Sequence, residues 1–584
     1  MATILTLNGS QVFPAGNQTI KLTRENPYFT QSESYTLNVT LPMDILENRN
    51  FFGSIHRIEH GKTLSPMSCL LSVDNKPLLS GSAKVTQITE KEVKVQLVGG
   101  VSEIKFLSTE NKTYIDEMEM GGPTYTYVPS GAGRGGTWEK NELPVRYVTM
   151  PVYDETHDLN YNGSFYVPQP RLHDVLKEVL ADSGYTLVEN PLDVTPWDCL
   201  YVASAKRTLN LSHSLPHWTV RDFIAEYCNF FNCTLVTNQF AQTVRVVPNS
   251  SYFGAARHTE ISPVDEYTVE LNEESNGHAL SVDNLRFDLS GSEEHDYDII
   301  SDELRESAPT EEYASRAEAL AAYNGKSETE RLKCIYKTPI GRWAGWKVDY
   351  SDVGSGEQTF FTQIDVFAPL IRDAESGNET SLKIVPVAIS EVHTTGNRGT
   401  TWTFRKPSLE CPTGGDFIGG GIGRLSDDED STIQEYVEGD ADITKPEKED
   451  RMQVIFVDDI EQDSICTASA TPGRSGVQVG DVTPVLMPFT DFLYKRNHGG
   501  NSHRQWSLSL NPTAAEHYLG ELHQNAYSFN MKAKYCVKFL ADEIPAPTHV
   551  FIIRNKRFAC EKIEAQIDDR GLQPLMTGYF YEML

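Results

Sequence analysis

Residues 171–190 read RLHDVLKEVLADSGYTLVEN, and residues 219–238 read TVRDFIAEYCNFFNCTLVTN. The two stretches end alike, in YTLVEN (185–190) and CTLVTN (233–238), and Glu178 and Glu226 hold matching places within them. In the first, Leu172, Val175, Leu176, Val179 and Leu180 recur at the three-to-four spacing that lines apolar side chains along one helical stripe. Gly184 follows, a residue suited to the left-handed backbone at a helix C-terminus. In the second, Val220, Phe223, Ile224, Tyr227 and Phe231 form the same stripe. Thr219 stands at the N-cap, with Asp222 three residues on, close to a capping box. Each helix is predicted to run directly into a strand, and the second strand to return as a hairpin through TVRVV (243–247). Two copies are too few for a solenoid, which needs about three units to bury a continuous core. The matched residues, Leu187 with Leu235 and Val188 with Val236, are strand hydrophobes behind a helix. The pair therefore predicts one small α/β module over 151–250.

On either side the hydrophobic period changes from helix to strand. Within 1–150, Tyr35, Leu37 and Val39 alternate with polar residues. CLLSVDNKPLL (69–79) has two apolar runs parted by the turn-forming pair Asp74-Asn75. Val93, Val95 and Leu97 alternate with Lys94 and Gln96 before Gly99-Gly100, so an antiparallel sheet or barrel is expected. Residues 251–410 return to strands, SLKIVPVAIS (381–390) among them. One helix is predicted over 309–323 (PTEEYASRAEALAAY), with Pro309 near its start and acids in its first turn. Residues 411–450 join CPTGGDFIGGGIG to LSDDEDSTIQEYVEGDADITKPEKED, a Gly-rich and acidic loop or linker. Over 451–584 a helix is predicted in TAAEHYLGELHQNAY (513–527), a hairpin in FIIRNKRFAC (551–560), and a paired final strand in TGYFYEML (577–584).

With 584 residues the chain has room for several domains. It carries 51 basic and 82 acidic side chains, a net charge of −31, which disfavours general binding of nucleic acid or anionic membrane. Its nine cysteines include no CxxC, which argues against a disulfide framework and a zinc ribbon. The opening MATILTLNGSQVF lacks the basic and apolar regions of an export signal, and no long apolar run occurs, so a soluble protein assembled in a reducing cytoplasm is expected.

Several motifs fail on their context. GAGRGG (131–136) fits GxGxxG, yet Pro144 and an alternating strand follow where a dinucleotide site needs a helix. His517 and His523 are six apart and fall on different helical faces, and Pro216 interrupts His213 and His217; His498 and His503 complete no ligand set. Asp427-Asp428-Glu429-Asp430 lacks the glycine and glutamate of a calcium loop. RNKR (554–557) sits between apolar runs and reads as a turn. No nucleophile, metalloprotease or P-loop signature is found.

The order of elements, β-rich, two helix–strand units, then β-rich again with a helix, resembles the tail hub (baseplate hub or tail-tip) proteins of long-tailed bacteriophages. NPYFTQSESYTLNVTLPMDILENRNFFG (26–53) resembles the family's opening, and LSVDNKPLLSGSAKVTQITEKEVKVQLVGG (71–100) its first tube-like barrel. The two helix–strand stretches resemble the units inserted between its barrels, and FIIRNKRFACEKIEAQIDDRGLQPLMTGYFYEM (551–583) the end of its second barrel.

The resemblance implies an α+β, mainly β fold. Two tube-like antiparallel β-barrel domains, 1–150 and 251–410, flank the inserted α/β module, and 451–584 completes the second barrel beyond the 411–450 loop. It implies a structural virion protein and no enzyme: a homotrimer joining the hexameric tail tube to the threefold tail tip and lining the DNA exit channel. The implied partners are tail tube and distal tail proteins, tail-tip or fibre proteins, and genomic DNA passing without specific binding. The implied place is the phage tail tip, after assembly in the host cytoplasm. Catalytic, cofactor and metal residues are expected to be none, and no residues are singled out for the lumen or trimer interface. Two alternatives are a receptor- or carbohydrate-binding tail adhesin, through Trp343 and Trp346 of GRWAGWKVDY (341–350), and a tail-associated peptidoglycan hydrolase using two carboxylates.

Overall fold

The computed structural model describes residues 3–584 except 17, 37, 54, 60–65, 112, 123–124, 130–135, 141–142, 153–164, 204–209, 272–284, 289–307, 340, 350–356, 364–379, 387, 396–400, 409–450, 458–485, 488–505, 509, 511–516 and 525–526. The fold is mainly β, as expected. From the N-terminal region come β1 (Thr3–Leu7), β2 (Ser10–Val12), β3 (Ile20–Glu25), the short α1 (Pro27–Thr30), β4 (Ser34–Thr36), β5 (Val39–Pro42), β6 (Met67–Val73), β7 (Lys76–Ile88), β8 (Glu92–Gly99) and α2 (Val101–Asn111). The module supplies α3 (Leu172–Asp182), β9 (Thr186–Glu189), α4 (Val220–Phe231), β10 (Cys233–Asn238) and β11 (Thr243–Pro248). Farther on lie β12 (His258–Glu260), β13 (Thr268–Leu271), β14 (Phe529–Leu540), β15 (Val550–Ile553), β16 (Lys556–Asp568) and β17 (Leu575–Met583).

One fifteen-stranded sheet unites the two ends of the chain. Its main path is β13-β14-β17-β16-β3-β4-β8-β7-β6-β1-β2, with β5, β12, β15 and Gly571–Leu572 pairing beside it. The seam is the antiparallel pair β3–β16, in register from Ile20 opposite Ile567 to Glu25 opposite Lys562. Among the described residues this sheet is open, ending at β13 and β2, and no closed barrel is present. Alternate residues along its strands turn inward, as a half-buried sheet requires. Leu5, Leu41, Val95 and Leu97 thereby share one core with Phe539, Phe551, Ile563 and Phe580.

Two meanders within this sheet match. In the first, β6 turns into β7 through Asp74-Asn75; in the second, β15 turns into β16 through Arg554-Asn555. All four turn residues have positive φ, 51° and 62° in the first and 48° and 65° in the second, the backbone of a type I′ turn. A lysine follows each turn, and β7 and β16 are both 13 residues long. Each bulges against the strand that comes next, between Val85 and Gln87 and between Cys560 and Lys562. Both predicted hairpins thus form, at equivalent places in equivalent meanders.

The module is built as its periodicity predicts. Every residue of both apolar stripes is buried, Gly184 takes φ 81° after α3, and the Thr219 hydroxyl accepts from the Asp222 amide at 3.1 Å. Its three strands lie in the order β9-β11-β10, with β9 parallel and β10 antiparallel to β11. The two matching strands therefore occupy opposite edges. Leu200–Ala203 pairs with Met452–Val457, which pairs in turn with Ile384–Pro386, so later segments also feed the core beneath α3 and α4.

Two helix predictions need correcting. Thr310–Glu312 is a strand parallel to Ile335–Thr338, and the helix spans Arg316–Gly325. Ser315 is its N-cap, accepting from the Glu318 amide at 3.3 Å, so Pro309 and the acids after it mark a strand instead of a first turn. Of 513–527, His517–Tyr518 is a short strand beside Trp506–Ser507 and Leu519–His523 a 3₁₀ turn. Gly520 lies so close to the Leu510 backbone that the chain is held by packing, not by helical periodicity.

Candidate interface cleft

The module docks on the large sheet at the end of β8. There Gly99 and Gly100 permit an approach that no side chain would: a Cβ at Gly100 would overlap the Glu33 carboxylate, and one at Gly99 the Gln239 amide. Gly100 also holds φ 68°, which favours glycine. Two buried carboxyl groups join the layers beside these glycines. Glu33 accepts from the Thr237 amide at 2.9 Å, from the Thr237 hydroxyl, and from the Val101 amide at 3.2 Å. Glu103 accepts from Ser82 of the sheet and Tyr185 of the module, both at 2.6 Å. Burial pushes both carboxyls above the usual glutamate range, against the opposing pull of those hydrogen bonds. Asn26, fully buried, completes the joint: its amide donates to the Pro547 and Cys560 carbonyls at 3.0 and 2.9 Å, and its oxygen accepts from the Tyr252 hydroxyl at 2.8 Å.

Beside the joint the layers part into a cleft of about 500 Å³. Arg24, Glu25 and Glu33 line it from the sheet, Val188, Thr237, Gln239, Phe240 and Arg245 from the module, and Ala546, Pro547 and Thr548 from the loop before β15. Arg24 donates to the Ile544 carbonyl at 3.1 Å and the Leu78 carbonyl at 3.0 Å, while its Nε is buried without a partner. Burial lowers the Arg24 pKa. The Gln239 amide donates to Leu78 at 3.4 Å, and its Oε1 is buried without a partner. Arg245 is exposed, and among the described residues it makes no ion pair. Of these residues the sequence singled out only Val188, as a strand hydrophobe, and the alternation of TVRVV around Arg245 was the other visible signal.

The residues weighed from the sequence lie elsewhere. His217 stacks on Tyr114 with ring centroids 3.8 Å apart and meets Asp116 at 3.0 Å, while His213 is exposed. His517 meets Glu521 at 2.9 Å, and buried His523 contacts the Phe230 carbonyl at 3.0 Å. Among the described residues no three His, Cys, Asp or Glu side chains are grouped to hold a metal. Of GAGRGG, Gly136 opens a strand, Gly136–Lys140, that pairs antiparallel with Tyr125–Pro129, so no helix follows the motif. RNKR forms the β15–β16 turn and the start of β16. Trp343 is fully buried under Arg316, whose guanidinium lies 4.7 Å from the ring centroid, so it offers no face to a sugar. His498, His503, Asp427 to Asp430 and the Trp346 side chain lie outside the described residues.

No family model matches the chain, and no curated protein does. Among solved structures, similarity is found to the 43 kDa tail protein of prophage MuSo2 from Shewanella oneidensis, at 9% identity and a TM-score of 0.31, over 99% of this chain and 96% of that one. It is also found to the tail protein from Neisseria meningitidis MC58, at 8% identity and a TM-score of 0.28, over 100% of this chain and 96% of that one. Likeness of this degree carries no conclusion about the present chain.

Proposed function

We propose that the chain is a structural subunit of a bacteriophage tail: a hub that assembles as a homotrimer, joins the hexameric tail tube to the threefold tip and lines the DNA exit channel. The observation that carries this reading is the pair of matching meanders within one sheet. Two such units per chain become six in a trimer, the number a hexameric tube presents. The barrel-like domains of the proposal are 1–150 and 251–410 with 451–584, separated by the module at 151–250 and interrupted by the 411–450 loop.

The open sheet supports assembly as well. A sheet edge leaves backbone donors and acceptors unpaired until another chain or element covers them. On the edge strand β13, Leu271 is 77% exposed, an apolar side chain open to a neighbouring subunit.

The polar face of the sheet suits passage of DNA without retention. Lys534 pairs with Glu561 at 2.9 Å, Lys21 with Glu564 at 2.8 Å, and Lys562 with Glu564 at 3.5 Å. A phosphate approaching these lysines competes with carboxylates already in place, so it gains little. Tail tube, distal tail and tip or fibre proteins are the proposed partners, and the virion tail tip the proposed location. Immunogold labelling of intact virions tests the reading. Label at the tail tip is expected; virions that lack the protein overturn it.

A further inference from the structure

Away from the cleft, the strand Thr310–Glu312, the helix Arg316–Gly325 and the strand Ile335–Thr338 bring a carboxylate, a lysine and a cysteine together. Lys326 follows the end of the helix, and Cys334 directly precedes the strand that runs parallel to Thr310–Glu312. The Lys326 Nζ donates to the Glu311 carboxylate at 2.6 Å and to the Cys334 Sγ at 3.4 Å, and it lies 4.8 Å from the centre of the Tyr336 ring. The Tyr313 hydroxyl donates to the same Glu311 oxygen at 2.5 Å, so the anion that aims the ammonium is itself held. A cation beside a cysteine favours its thiolate, the form that reacts. Cys199 is the contrast, since it donates to the Asp198 carboxylate at 3.3 Å, a neighbour that disfavours its thiolate. Cys334 keeps 3% of its surface, and the Lys326 and Glu311 side chains beside it are 24% and 42% exposed, so the sulfur lies one side chain below solvent.

We propose that this pair is an oxidation site, at which a peroxide joins Cys334 to Lys326 through a sulfur–nitrogen bond, a sulfenamide. In the first step the Cys334 thiolate attacks one peroxide oxygen. The S–O bond forms, the O–O bond breaks and sulfur gives up two electrons. The departing hydroxide takes a proton from the Lys326 ammonium and leaves as water. Against the lowering effect of burial, Glu311 and Cys334 raise the Lys326 pKa, so that proton is in place at neutral pH, and its loss frees the amine as the sulfenic acid forms. In the second step the amine attacks the sulfur. The N–S bond forms, the S–O bond breaks, and the hydroxyl leaves as a second water with a proton from nitrogen. One thiolate, one ammonium and one peroxide thus give one sulfenamide and two waters. A sulfenic acid condenses with a nitrogen held beside it in this way. The link ties the end of the helix to the start of the strand. The inference rests on this cluster and is independent of the tail reading.

The test is non-reducing peptide mapping by mass spectrometry of the full chain treated with hydrogen peroxide. Burial raises the Cys334 thiol pKa against the pull of Lys326, so the reaction is run in mildly alkaline buffer. A cross-linked peptide holding Lys326 and Cys334 is expected, lighter by two hydrogens than its reduced parts. Tryptic cleavage after Lys326 is expected to be lost, and to return after dithiothreitol. Lys326→Arg keeps the charge and is expected to abolish the link, sending the Cys334 sulfur on to sulfinic acid with the circular dichroism unchanged. In the unsubstituted chain, oxygen gained at Cys334 without a link to Lys326 overturns the proposal. A disulfide from Cys334 to another cysteine, or an untouched Cys334 under peroxide that oxidises methionine, does the same. So does a link between Lys326 and Cys334 that retains an oxygen, which marks a different bond.

Discussion

A single methyl group at Gly100 would meet the Glu33 carboxylate, at a backbone φ of 68°. Gly100→Ala is therefore expected to lower stability by about 1–3 kcal/mol, measured by urea denaturation, because left-handed strain and lost docking add. A change within about 0.5 kcal/mol would show that the joint yields freely. Glu103 gives a prediction in pH. Its pKa is raised in the folded chain by burial, so its contribution is most favourable below the ordinary value of 4.5 and is lost as pH rises through the folded value. Glu103→Gln cannot ionise. The melting temperature of the variant relative to wild type is accordingly expected to climb between about pH 4 and pH 8, whereas a flat difference contradicts the buried-carboxyl account. Neither residue announces itself in the sequence, since a buried glutamate and a solvated one read alike until the fold places them.

At the scale of elements, what the sequence disclosed was local. The stripes of α3 and α4 were legible because a helix writes its burial at a fixed period, and the two turns because Asp-Asn and Arg-Asn separate alternating runs. The helix at Arg316–Gly325 was misplaced at its start because Pro309 and the acids after it imitate a first turn, while Ser315 with Glu318 is the working cap. The likeness of YTLVEN to CTLVTN concealed a difference. Leu187 and Val188 on β9 are half-buried and exposed, whereas their counterparts Leu235 and Val236 on β10 are buried and half-buried, so the second copy is the better covered. The repeat with more structural consequence is that of the β6–β7 and β15–β16 hairpins, whose shared signature is an asparagine and a lysine at the turn. In that turn Asn555 holds φ 65°. Asn555→Gly is expected to raise stability by about 0.5–1 kcal/mol in thermal unfolding, since glycine takes this backbone without strain. A loss of stability would mean that the Asn555 side chain, and not its backbone, makes the turn.

Across the whole molecule, the pairing of β3 with β16 brings together residues more than five hundred positions apart, and no local period reports such a contact. The clefts and edges that follow from it were equally invisible. The distribution of charge now takes a form that composition alone did not give. Lysine and glutamate alternate in pairs on the polar sheet face, whereas 411–450 holds twelve acids against three bases. If the β13 edge is a subunit contact of the proposed trimer, Leu271→Asp should yield monomers in light scattering while leaving the circular dichroism as it was. A trimer that persists would move the interface elsewhere.

In the proposed assembly each chain contributes two equivalent sheet units to a threefold ring around a channel. Single-particle cryo-EM of the tail tip tests it most directly. Three copies of the chain are expected around the tail axis, with the β6–β7–β8 and β15–β16–β17 meanders alternating as six units about the lumen. A tip containing one or six copies, or three copies whose meanders face away from the channel, would contradict it.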